Sequence, residues 1–295
     1  MTPDAILAEK PLILSQQDRE NYFKQGYVVA REFLQGKWLN RMCDAYKNAV
    51  ERSRSISESN HWFSLQSDHS YELPKITRIE KIPDQDSEFW AIVKESDITK
   101  LAADIVGPDV VYRDSMINVK CPGDGGAVAW HQDLVFYPHT NSSTIQIIIS
   151  LYDVPIEQGP ITIIKGSHKK QIYEHYDDNG NWTGKLKDTD IDSISWNDQI
   201  TIPTKAGDAI ILHPLTLHSS GLNNTDRNRP YLIHGFSAAD AISYTPMTWG
   251  NSYSGTLVRG QPARYAHNEG MVIPLPPDWS EGYTSIFEHH RRKKH

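Results

Sequence analysis

Residues 127–137, AVAWHQDLVFY, place a histidine and an aspartate two positions apart inside an otherwise apolar run. Such a run reads as a strand, and strand residues i and i+2 leave the same face with Cβ atoms about 6–7 Å apart. His131 and Asp133 then converge on one ion, through an imidazole nitrogen and a carboxylate oxygen, while Gln132 points the other way. Burying two such side chains is costly unless they are paired or bind a metal. The pair alone is weak evidence in a chain with 13 histidines. Two histidines and one carboxylate on one side of an octahedral ion leave open positions, as in non-haem Fe(II) oxygenases, so a second histidine is required.

The best candidate is His218, read as the end of a strand that follows the Gly207-Asp208 turn in AGDAIILHPLTLHSSGLNNTDRNRPYLIHGFS. His213 competes, but it sits mid-strand before a proline, and an odd separation of five puts it on the opposite face from His218. Arg229 lies eleven residues beyond His218, at the start of the next strand, where its guanidinium can turn back into the same cavity and grip a carboxylate. Arg227 is the alternative, but it falls within the turn, on the solvent side. 2-Oxoglutarate suits this arrangement, because it chelates iron through its keto-acid end and leaves a distal carboxylate to be paired.

The elements that must position these residues divide the chain. SQQDRENYFKQG reads as a helix capped by Ser15 and stopped at Gly26, followed by the strand YVVAREFL. GKWLNRMCDAYKNAVERSRS places Trp38, Leu39, Met42, Tyr46 and Val50 at helical spacing, which is core packing. A polar loop, SISESNHWFSLQSDHSYELP, leads to the strand KITRIEKI and then to two short helices, SEFWAIVKES and ITKLAADIVG. From Asp109 onward short β-rich runs alternate with Gly and Pro turns, which indicates a sandwich or barrel rather than a parallel sheet. The expected organisation is one domain: a mainly helical layer over 1–108, a β core over 109–240 with a lid-like insert at 169–198, and a C-terminal extension over 241–295.

Composition narrows the function. A net charge of −7 with scattered Lys and Arg carries no nucleic-acid footprint. The exception, HHRRKKH at 289–295, reads as a solvated tail. Cys43 and Cys121 are too few for a disulfide framework. No apolar run reaches the roughly 18 residues of a membrane helix, and the N-terminus lacks the parts of a secretion signal. The expectation is a cytoplasmic protein with no membrane or nucleic-acid partner.

The runs HQD, GPITIIKGSH, GDAIILHPLTLHSSGLNNTDRNR and HGFSAADA together resemble the phytanoyl-CoA dioxygenase family, from FKQGYVVAREFL to about residue 245. These are oxygenases dependent on Fe(II) and 2-oxoglutarate, with a core that is a double-stranded β-helix (jelly-roll, cupin-like). The resemblance implies a mainly β fold with flanking helices, and molecular oxygen as second co-substrate. By position, His131, Asp133 and His218 match the iron ligands, Arg229 the arginine on the 2-oxoglutarate tail, and Ser220 a hydroxyl that helps hold that tail. Arg78 falls near a basic residue close to the inner carboxylate. KGSH at 165–168 departs from the family in lacking a proline before Gly166, a turn that supports the core. The presence of Asp133 favours oxygen insertion over halogenation, since halogenating relatives lack this carboxylate.

Asn118, Thr144 and Gln146 lie on strands that line the same barrel, as co-substrate contacts or structural groups. Tyr137, His139 and Trp62 are candidate substrate contacts, whereas His168, His175 and His234 are read as non-ligands. The expected reaction is hydroxylation of an unactivated C–H in a small polar or zwitterionic metabolite, such as an amino-phosphonate or a natural-product intermediate. An acyl-CoA carries several negative charges and suits a −7 chain without a basic patch poorly. A cupin-type metalloenzyme independent of 2-oxoglutarate and a non-catalytic jelly-roll binding protein are the rival readings.

Overall fold

Helix boundaries in the N-terminal layer follow local chemistry. The computed structural model describes residues 1–123, 126–247, 249–271 and 273–277. Helix α1 (Pro3–Ala8) starts on the Thr2 side chain. Ser15 caps α2 (Gln16–Gln25) in a reciprocal box with Asp18, and Gly26 ends it in the left-handed region at φ 86°. A Cβ at Gly26 would lie 2.2 Å from Thr216 Oγ1, so the stop is also a point of close packing. After β1 (Tyr27–Ala30), α3 (Gly36–Ser53) turns Met42, Ala45, Tyr46 and Ala49 into the core, with Trp38, Leu39 and Val50 packed beside them. The layer continues through β2 (Phe63–Leu65), β3 (Ile76–Ile79), α4 (Ile82–Gln85), α5 (Glu88–Glu95) and α6 (Ile98–Val106).

The core strands are β4 (Val110–Lys120), β5 (Val128–His131), β6 (Thr144–Ser150) and β7 (Ile161–Ile164), then β8 (Gln199–Thr201), β9 (Ala209–Leu212), β10 (His218–Ser220), β11 (Arg229–Ala238) and β12 (Leu257–Arg259). A short helix, α7 (Asp188–Asp192), lies between β7 and β8. The larger sheet runs β1-β9-β6-β11-β4-β3-β2 with β12 on β4, and the smaller runs β5-β10-β7-β8. This is the expected jelly-roll core, built as two antiparallel sheets.

Strand parity explains why β6 is buried at every position. Ile145, Ile147 and Ile149 face the helices together with Leu232 of β11, while Ile148 faces the smaller sheet together with Ile210 and Ile233. A sheet covered on both faces can be apolar throughout. Polar side chains on its inner face therefore stand out, and they mark the site.

Three local expectations change. The polar loop before KITRIEKI contains β2, whose Phe63 and Leu65 are buried against β3; three residues are too few for alternation to show. The helical layer contributes β1, β2 and β3 to the larger sheet, so that sheet extends across residue 108. The insert at 169–198 is polar in composition, yet Tyr173, Trp182, Leu186 and Ile194 are buried in it, and Trp130 meets Trp196 edge-on. No helix among the described residues is long and apolar enough to cross a membrane. The basic run at 289–295 lies outside the described residues.

Candidate active site

β5 carries His131 as its last residue, and Asp133 is not on the strand but opens a 3-10 turn, Asp133–Val135. The turn is held by Phe136 N donating to Asp133 O at 2.9 Å and Leu134 N donating to Pro214 O at 2.9 Å. His218 also differs from expectation. The strand after Gly207-Asp208 stops at Leu212 in the larger sheet, the chain turns through Pro214, and His218 begins β10 in the smaller sheet, paired with His131. A proline that cannot continue the ladder is what separates these two strands. His213 stays behind, its Nδ1 accepting from Leu215 N and its ring beside His168.

The three donors converge. Asp133 Oδ1 lies 3.6 Å from Nε2 of His131 and 3.6 Å from Nε2 of His218. One ligand atom from each of the three residues falls within 4.8 Å of the others. Each histidine gives its Nδ1 hydrogen to a backbone carbonyl, His131 to Ala129 at 2.8 Å and His218 to Thr216 at 2.9 Å. A carbonyl only accepts, so in the neutral rings both lone pairs sit on Nε2, aimed at the shared point. Second partners that fix the tautomer in this way are characteristic of metal-ligating histidines, and the donor set fits a ferrous ion. His175 is committed elsewhere, its Nε2 accepting from Gln132 N at 3.1 Å, and His234 is fully buried with its Nδ1 on Ser115 Oγ.

The ligands open onto a cavity of about 130 Å³ between the sheets. Arg78, Asn118, Gln146, Tyr137, Ser220 and Arg229 all line it. Arg229 is 5% exposed, its Cζ lies 4.0 Å over the Tyr231 ring, and its Nε has no hydrogen-bond partner. Arg227, by contrast, is exposed. Arg78 donates from Nε to Asn118 Oδ1 at 2.8 Å and lies 3.6 Å from Glu80. Gln146 donates to the Tyr137 hydroxyl at 3.3 Å, and the Arg113 guanidinium stacks 3.8 Å from that ring. Burial, reinforced by the Asp133 charge, raises the Tyr137 pKa well above its ordinary value, so the phenol stays protonated.

Three expected residues are elsewhere. Thr144 shares a β6 face with Gln146 but lies one repeat further along, where it lines a separate cavity. His139 is 2% exposed beneath the site, bonded to the Tyr137 carbonyl, and burial draws its pKa down to about 4. Trp62 packs against the helical core and does not reach the cavity. Further groups at the site carry little sequence signal. Phe136 and Trp249 form apolar wall, Trp249 from the C-terminal extension with no pattern to mark it. Lys120 shares the inner face of β4 with Asn118 and Met116, and that parity was the available signal.

Gln132, between two of the ligands, is fully buried. Its Nε2 donates to Leu215 O at 2.9 Å and Gln171 O at 3.2 Å, and its Oε1 accepts from Tyr173 N at 2.8 Å. It ties β5 to the insert and to the segment before His218. Gln132→Leu would leave these backbone groups unpaired, and chemical denaturation should show a loss of about 3 kcal/mol. An unchanged denaturation midpoint would remove Gln132 from this role.

A jelly-roll core with two histidines and a carboxylate at the mouth of the sandwich defines the class: a mononuclear non-haem metal enzyme. The family model "Phytanoyl-CoA dioxygenase (PhyH)" matches residues 22–231, and the chain belongs to that family of Fe(II)- and 2-oxoglutarate-dependent dioxygenases. A probable alpha-ketoglutarate-dependent hypophosphite dioxygenase of Stutzerimonas stutzeri is 25% identical over 289 residues, covering 95% of this chain and 98% of that protein. Human peroxisomal phytanoyl-CoA dioxygenase is 23% identical over 248 residues, covering 77% and 70%. Among solved structures, EctD from S. alaskensis with 2-oxoglutarate and 5-hydroxyectoine superposes with a TM-score of 0.68 at 17% identity, covering 86% of this chain and 87% of that one. The epimerase SnoN in complex with Fe3+, alpha ketoglutarate and nogalamycin RO gives 0.60 at 20% identity, covering 94% and 98%. These last two likenesses are of fold.

Proposed function

We propose that this chain hydroxylates a C–H bond of a small anionic or zwitterionic metabolite, with His131, Asp133 and His218 holding the iron. One observation carries the reading: the three convergent ligand atoms and the buried, unpaired Arg229 open on the same cavity. Arg229 and Ser220 take the distal carboxylate of 2-oxoglutarate, and Arg78 with Asn118 stands near its inner carboxylate. Gln146 and Tyr137 face the substrate, and Phe136 and Trp249 keep water from it. Bound iron supplies the activation of oxygen, while the protein contributes coordination geometry, orientation and a dry pocket. The carboxylate of Asp133 fills the position that a halide would need, which favours oxygen insertion.

The size of the cavity supports a small substrate, since the co-substrate takes part of about 130 Å³. The relative matched over 95% of this chain is named for hypophosphite, a small anion, which agrees with that class. The test is succinate formation by iron-reconstituted enzyme with hypophosphite, an aminophosphonate, zwitterionic amino acids and an acyl-CoA. Labelled oxygen then reports the atom inserted. Small charged metabolites should raise succinate above the substrate-free rate; stimulation by the acyl-CoA alone would overturn the substrate class. Hypophosphite alone would replace C–H by P–H as the bond attacked.

A further inference from the structure

Lys120 places a second cation beside Arg229. It is the last residue of β4, pairs with Arg229 in the β4–β11 ladder, and is 1% exposed. Its Nζ crosses to the smaller sheet, donating to Ser220 Oγ at 2.7 Å and to the Gly221 carbonyl. Arg229 faces it from β11, while Arg78 on β3 is turned to Asn118 and Glu80. β10 offers the Ser220 hydroxyl, and Asp226 and Arg227 in the next turn are exposed. No carboxylate among the described residues bears on Lys120 or Arg229. Burial, with Arg229 second, lowers the Lys120 pKa to about 6, so near neutral pH the amine is largely uncharged.

The charge on Lys120 decides what Ser220 can do. A hydroxyl has one hydrogen to give. Beside an ammonium, Ser220 Oγ must accept, and its hydrogen is free for an acceptor in the cavity. Beside a neutral amine, that hydrogen can go to the Nζ lone pair instead.

We propose that Lys120 is a proton-linked positioning residue for the distal carboxylate of the co-substrate: the arriving carboxylate recharges the amine, and the ammonium commits the Ser220 hydrogen to that carboxylate beside Arg229. The proton comes from the buffer. The inference rests on the assignment of Ser220 and Arg229 to this carboxylate.

Calorimetry on the Fe(II)-loaded enzyme without oxygen tests it, with 2-oxoglutarate titrated in two buffers of different ionisation enthalpy. At about pH 7.5 binding should take up close to one proton, and uptake should fade as the pH falls below about 6, where the free amine is already charged. 2-Oxobutyrate keeps the chelating end and lacks the distal carboxylate, so it should bind with no such uptake. Lys120→Met should abolish the uptake and weaken 2-oxoglutarate on the order of 30-fold, with little effect on 2-oxobutyrate. In a Ser220→Ala background the same change should cost less, because the two residues act together. Tight binding of 2-oxoglutarate by the wild type with no proton taken up would overturn the role of Lys120, and needs no variant to fold. Failure of the wild type to bind 2-oxoglutarate at all would instead overturn the assignment beneath it.

Discussion

Substituting alanine for His131 or Asp133 should leave a folded protein that no longer retains iron and forms no succinate. Asp133 Oδ1 lies 3.6 Å from both Nε2 atoms, so each member is one third of the ligand set. Loss of an inner ligand should exceed the about 10–100-fold cost of disturbing an outer partner. The ligands stand at the end of a strand and in a turn, and the apolar core beneath them does not depend on either side chain. Metal binding to the native state alone stabilises by about 2.7 kcal/mol at a hundredfold excess over Kd. Ferrous ion under nitrogen should therefore raise the melting temperature of the wild type and leave that of both variants unmoved. Stoichiometric iron and undiminished turnover in Asp133→Ala would refute the ligand assignment.

Arg229→Ala should separate function from stability. The guanidinium is buried, stacked on Tyr231, and acted on by no carboxylate among the described residues. Without its anion it is an unpaired buried charge, and burial lowers its pKa. Replacement should raise the KM for 2-oxoglutarate by about 10²–10³-fold, as expected for truncating one partner of a buried charge pair. It should leave the melting temperature of the unliganded protein unchanged or higher. Arg229→Lys should rescue only part of the affinity, because a point charge does not reproduce the planar fork. An unaltered 2-oxoglutarate requirement in Arg229→Ala would send the carboxylate elsewhere in the cavity.

Much of the site was legible because its chemistry is local. The HQD run and its apolar neighbours nominate two candidate ligands without any knowledge of the fold, and Arg229 is marked by its place at the start of a strand. The structure groups His218, and not His213, with His131 and Asp133, although the two histidines do not lie on one continuous strand. The chain changes sheets between the two histidines, and face counting fails across such a change. Thr144 and Gln146 show the same limit: they share a face, but parity does not say how far along the strand the cavity extends. Trp62 is a candidate substrate contact by its place in a polar loop, and the helical core claims it instead.

The order of residues by itself determined the helix caps at Ser15 and Gly26, the β-rich core, and the kinds of side chain able to hold a metal. Each depends on neighbours within a few positions, where backbone geometry dictates direction. Only the tertiary structure decided that β5 and β10 lie side by side, so that His131 and His218 point their Nε2 atoms at one spot. It also decided that Lys120 and Ser220, 100 residues apart, share a hydrogen bond across the sandwich. Such meetings are set by how two sheets pack over a common core, a cooperative outcome of burial that no single stretch of chain contains.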